Sequence, residues 1–154
     1  MAGYDLKRLR VLIVDDNKYM RKILRTVLEA MAITDIACVD NAIDAIEIVR
    51  ERKPDLVIAD WMMEPIDGIA LTRALRNEQS SPDPFVPIFL ITSHADKDLV
   101  LTARDAGVHE VLSKPVSIGG IYKRIVKLVE HPRPFIRTPD YFGPEPRRKG
   151  SEAA

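Results

Sequence analysis

The chain has 154 residues, with 23 basic and 23 acidic side chains. That length suits one domain with a tail and is too short for an ordinary two-domain enzyme. The charge balance leaves no global field to draw in nucleic acid or a membrane surface, so any electrostatic argument must be local. Cys38 is the only cysteine, so an internal disulfide is excluded, in keeping with a reducing compartment. No run of about 18 uncharged apolar residues occurs. The start, MAGYDLKRLR, lacks the apolar core of a signal peptide. The sequence reads as soluble and cytoplasmic, with neither membrane nor nucleic acid as partner.

In chain order, VLIV at 11–14 is a continuous apolar run rich in β-branched residues, the pattern of a strand buried on both faces of a parallel sheet. It delivers Asp15 and Asp16. Met20, Ile23, Leu24, Val27, Leu28 and Met31 then follow three-and-four spacing, which predicts a first helix. IACV at 36–39 is a weaker second strand, and Asn41 caps a second helix carrying Ala42, Ala45, Ile46 and Val49. DLVIAD at 55–60 is a third strand, ending on Asp60. Leu71, Ala74 and Leu75 mark a third helix. The loop NEQSSPDPFVP at 77–87 is longer than such a connection needs and carries Phe85. PIFLIT at 87–92 is a fourth strand, Leu99 to Ala106 a fourth helix closed by Gly107, and EVLS at 110–113 a fifth strand. Ser117 caps a fifth helix with Ile118, Ile121, Tyr122, Ile125, Leu128 and Val129. Strand and helix alternate five times, which predicts a doubly wound α/β domain with a five-stranded parallel sheet and right-handed crossovers over residues 8–130.

From His131 the pattern breaks. Residues 131–154 hold five of the eleven prolines and show neither helical nor strand period. This C-terminal extension reads as a tail, either a solvated disordered segment or one that docks. Its aromatics Phe135, Tyr141 and Phe142 stand among Arg133, Arg137, Arg147 and Arg148, a composition suited to clamping a partner or folding back on the domain.

Ligands of open α/β sheets bind beyond the carboxyl ends of the strands, where the strand order reverses. The predicted strand ends bring Asp15, Asp16, Asp60, Thr92, Ser93 and Lys114-Pro115 to one crevice. Three aspartates cannot remain charged together without a counterion, and an all-oxygen set suits a hard divalent cation such as Mg²⁺. His94, His109 and His131 are too scattered for a zinc site. His94 either shapes water access beside the crevice or is an exposed loop residue; His109 and His131 read as surface residues, Cys38 as a small buried apolar group, and Trp61 as bulk beside the site.

These residues, with DWMMEPIDG at 60–68, resemble the receiver domain of bacterial two-component response regulators over residues 8–130. The resemblance implies a flavodoxin-like sheet in the order 2-1-3-4-5 and a stand-alone phosphoacceptor that is a switch and not an enzyme. Asp60 would take a phosphoryl group from a histidine kinase or histidine phosphotransfer protein. Mg²⁺ would be held by Asp15, Asp16, Asp60 and the Met62 carbonyl. Lys114, set by a cis peptide at Pro115, with Thr92 and Ser93, would bind the phosphoryl oxygens. Gly68 would supply the turn into the third helix. Output would pass to a downstream protein through the fourth helix, fifth strand and fifth helix, or through the tail, with homodimerisation left open.

Two departures from the family pattern stand out. Glu64 occupies the place where proline usually follows the loop methionine, with Pro65 one residue later. Val111 stands where the family usually has the tyrosine or phenylalanine that couples phosphorylation to the surface. The second motivates an alternative, a phosphorylation-independent scaffold or adaptor of the same fold. A Mg²⁺-dependent phosphohydrolase is a further alternative, disfavoured by short loops after the first, second and fifth strands. A dinucleotide-binding domain is disfavoured because no glycine-rich turn follows the first strand, where Asp15 and Asp16 stand instead.

Overall fold

Val11 to Val14 lie in β1 (Arg10–Val14), and all four are buried because helices cover the strand on both sides. The computed structural model describes residues 6–146. β1 is flanked by β2 (Asp35–Val39) and β3 (Leu56–Asp60), and β4 (Ile88–Thr92) and β5 (Glu110–Ser113) continue outward from β3. Every neighbouring pair is parallel, giving the order β2-β1-β3-β4-β5. This is the doubly wound, flavodoxin-like sheet expected from the sequence.

Alternation along the strands divides the core into two layers. Leu12, Val14, Val57, Ala59, Ile88 and Leu90 face α2 (Ala42–Arg52), α3 (Gly68–Arg76) and α4 (Lys97–Ala106). Val11, Ile13, Leu56, Ile58, Phe89 and Ile91 face α1 (Lys18–Ala30) and α5 (Ile118–Glu130). Each helix starts on a side-chain cap: Asn17, Asn41, Asp67, Asp96 and Ser117 accept from the first-turn amides of α1 to α5 in turn. Gly107 closes α4 at φ +102, a left-handed conformation that glycine adopts at little cost.

The extension corrects the expectation of a segment without strands. Phe135–Thr138 (β6) and Tyr141–Pro144 (β7) pair as an antiparallel hairpin docked on the domain. Two prolines and the absence of polar-apolar alternation hid it, because its apolar partners lie far away in sequence. Arg147 and Arg148 lie outside the described residues.

Gly68 shows how tightly α3 enters the sheet. A Cβ there would fall 2.8 Å from the Asp60 carbonyl oxygen and 2.9 Å from Leu90 Cδ2. Gly68→Ala is therefore expected to lose about 1–3 kcal/mol of stability through overpacking, measured as a lowered urea midpoint with an unchanged slope.

Candidate functional site

The strand order reverses around β1, so the turns leaving β1 and β3 open a crevice at their carboxyl ends. Asp15 is 1% exposed and Asp60 is 5% exposed, whereas Asp16 is solvent-facing. One carboxylate oxygen from each of the three lies within 4.8 Å of the others. Two buried like charges at such a range repel by about 3–4 kcal/mol at an effective dielectric near 20. The local backbone imposes this closeness. The Asp15 amide donates to the Val39 carbonyl at 3.1 Å, and Arg21 of α1 donates to the Asp15 carbonyl at 2.7 Å. Asn17, whose side chain caps α1, donates its own amide to Asp15 Oδ1 at 2.9 Å.

The opposing charge comes from the residue that follows β5. Lys114 Nζ is 3.2 Å from Asp60 Oδ1, an ion pair whose angle does not make a hydrogen bond. Asp15 Oδ2 is buried with no hydrogen-bond partner. The Lys114 amide donates to the Thr92 carbonyl at 2.9 Å, which fixes the ends of β4 and β5 together, and the Lys114–Pro115 peptide is cis. Thr92 is buried, and its hydroxyl oxygen accepts from the His94 amide at 3.1 Å. Ser93 and His94 are exposed at the rim. Met62 is exposed in the loop after β3, and a depression in that loop is lined by Met62, Glu64, Pro65 and Ala70. Glu64–Pro65 is a second cis peptide. Trp61 is buried beside Asp60. The predicted site residues thus converge at one end of the sheet.

Val111 is half-buried on β5 and packs with Leu99 against the α2–α3–α4 layer. His109 is a correction: it is buried, not a surface residue, and its Nδ1 accepts from the Ile88 amide at 3.3 Å. Sequence spacing gave no sign of this, because the groups that bury it come from α3 and the tail. Arg21 was also missed; its one signal is an arginine on the inner turn of a helix directly after an aspartate pair.

Residues 11–126 match the response regulator receiver domain. The chain belongs to this family. Receiver domains bind Mg²⁺ at an acidic pocket, act in two-component signalling, and interact with histidine kinases or phosphotransfer proteins and with downstream targets. The chemotaxis protein CheY of Pseudomonas aeruginosa is 30% identical over 122 residues, 79% of this chain and 97% of that protein. CheY-3 of Vibrio cholerae is 27% identical over 124 residues, 80% of this chain and 94% of its own length. Among solved structures, the signal receiver domain of an HD domain-containing protein from Pseudomonas fluorescens superposes with a TM-score of 0.70 at 24% identity, covering 80% of this chain and 96% of that one. The chemotaxis response regulator CheY4 of Vibrio cholerae gives 0.70 at 20% identity, covering 78% and 98%. No described helix of this receiver domain is long and apolar enough to cross a membrane.

Burial pushes the Asp15 carboxyl up to about 6, opposed by the Asn17 amide and Lys114 and reinforced by Asp60 and Asp16. The folded, metal-free domain therefore binds more protons than the unfolded chain between about pH 4 and 6. Its stability is expected to fall as pH rises through that window and to level off above it, and Asp15→Asn is expected to flatten the decline. Urea midpoints across pH 4–8 in chelator measure both.

Proposed function

We propose that this receiver domain is a phosphoacceptor switch in which Asp60 is modified and Mg²⁺ assists. The observation that carries the reading is a set of three aspartate carboxylates, one with an orphaned buried oxygen, facing a single lysine at the switch point. An all-oxygen set of this kind fits a hard divalent cation, with Asp15, Asp16, Asp60 and the Met62 carbonyl as its ligands. Bound there, Mg²⁺ supplies the positive charge that lets an anionic phosphoryl group approach an anionic carboxylate.

Asp60 attacks phosphorus, one carboxylate oxygen forming the new P–O bond as the donor's P–N bond breaks and the imidazole leaves. Lys114 pairs with a phosphoryl oxygen, and the Thr92 hydroxyl turns from the His94 amide to donate to another, with Ser93 at the rim. Little more than position and charge neutralisation is required, as phosphoryl transfer generally demands. The donor is a histidine kinase or histidine phosphotransfer protein, and the readout is a protein contact on α4, β5 and α5 or on the hairpin. The domain samples the active form unmodified, and the phosphoryl group shifts the population toward it.

Incubation with acetyl phosphate and Mg²⁺ is expected to add one phosphoryl mass to the intact protein. Chelator or Asp60→Asn should abolish the gain, and Lys114→Ala should slow it tenfold or more. Retained labelling in Asp60→Asn would remove that residue as nucleophile. No labelling from this donor or from a histidine kinase would leave the phosphorylation-independent scaffold, the reading that Val111 favours.

A further inference from the structure

The carboxyl-terminal hairpin covers the end of the domain opposite the carboxylates, and it is built around a buried cation. Arg76, the last residue of α3, is 5% exposed. Its Nε donates to the Gly107 carbonyl at 2.9 Å and its Nη1 to the Pro84 carbonyl at 3.0 Å. The Phe135 ring closes over it, 4.9 Å from the guanidinium carbon. Burial lowers Arg76 to about 10, which leaves it charged at neutral pH. A charge taken out of water is tolerable only while its neighbours stay in place, so the end of α3, the 77–87 loop, the α4–β5 turn and the hairpin hold one another.

The remaining contacts fix the hairpin on the C-terminal end of α4. Phe135 and Phe142 pack edge-on against Phe85, centroids 5.2 and 5.5 Å apart. Arg133 donates to the His109 carbonyl and lies 3.8 Å from the Glu110 carboxylate, at the start of β5. A Cβ on Gly143 would sit 3.0 Å from the Gly107 Cα, so the hairpin backbone rests directly on the cap of α4.

α4 is anchored unevenly. Its buried residues, Ala103 and Ala106, lie toward its C-terminal end, and its N-terminal approach, residues 93–96, is exposed. That approach is joined to the site through the His94 amide and the Thr92 hydroxyl. Movement of Thr92 toward a group on Asp60 would take that acceptor away and free the exposed approach, while the Gly107 end of α4 stays packed against Gly143. With Val111 in place of a ring that could swing, the relay has little other bulk to act on.

We infer that the hairpin is a strap across the α4 pivot, released when Asp60 is modified. The inference rests on Asp60 being the phosphoacceptor. Strap docking and phosphoryl occupancy are then antagonistic, and linkage makes the antagonism reciprocal: whatever loosens the strap tightens binding of a phosphoryl mimic.

The test uses the full chain with Mg²⁺ and beryllofluoride, a phosphoryl mimic, read by hydrogen exchange and by fluorescence of Trp61 beside Asp60. Exchange at 135–144 should accelerate on binding while β1 and β3 stay protected. Phe135→Ala should bind beryllofluoride about fivefold or more tightly, the lower end of usual coupling energies. Arg137→Ala, which removes the exposed ion pair with Glu78, should move affinity the same way by less and covers the case in which Phe135→Ala does not fold. Saturating Trp61 titration with unchanged or slower exchange at 135–144, or with unchanged affinity in the folded variants, would overturn the strap and leave the phosphoacceptor standing. No titration at all would overturn the phosphoacceptor reading and the strap with it.

Discussion

Three carboxylates held within 4.8 Å of one another at the end of a parallel sheet are the constraint around which the domain is arranged. Left alone they repel, and the fold relieves them only in part: Asp15 Oδ2 has no hydrogen-bond partner, and Lys114 forms its ion pair with Asp60. The surrounding geometry is what keeps them together. β1 and β3 are buried along their apolar lengths, the Asp15 backbone is tied to β2 and to Arg21, and Gly68 lets α3 approach the carbonyl of Asp60 where any side chain would collide. Packing of two apolar layers thus supports an arrangement that electrostatics opposes, which is the usual relation between a rigid core and a reactive site.

The same logic decides what could be read from the sequence. Strands buried on both faces appear as unbroken apolar runs, and VLIV, LVIA and IFLI need no knowledge of their neighbours to be recognised. Caps at Asn41 and Ser117 and the stop at Gly107 are equally local. Because site residues sit at strand ends, the strand order alone gathers Asp15, Asp16, Asp60, Thr92 and Lys114. The hairpin and His109 were beyond reach for the opposite reason. Phe135 is held by Phe85 and Arg76, some 50 and 59 residues earlier, and His109 by Arg76 and the Ile88 amide. No periodicity records such pairings. The tail's aromatics among arginines were the legible trace, and they left docking, clamping a partner and disorder all open.

The two ends of the domain treat buried charge in contrary ways. At the carboxyl end, negative groups are crowded and underprovided with partners, so an incoming cation would lower their free energy. At the amino end, Arg76 is surrounded by two carbonyls, a histidine nitrogen and a ring, and any displacement raises its free energy. One end gains by binding; the other loses by moving. α4 runs between them, weakly buried at the first end and fixed at the second.

That asymmetry bears on how a signal leaves a receiver domain that has valine at position 111. A rotating ring gives a discrete, local readout along β5, and Val111 has neither the length nor the polar tip to reproduce it. A helix turning about a clamped cap needs neither; it needs a contact at the pivot that is present in one state and strained in the other. In the proposed strap, Gly107 against Gly143 would be such a contact, since neither residue has a side chain to yield and the backbones pack closely. The aromatic cluster behind it is only partly covered even when docked, with Phe85 53% exposed, so little further opening would release it. A bistable element of the proposed sort would place the sensing chemistry and the output at opposite ends of one helix, joined by packing and not by a chain of rotamers.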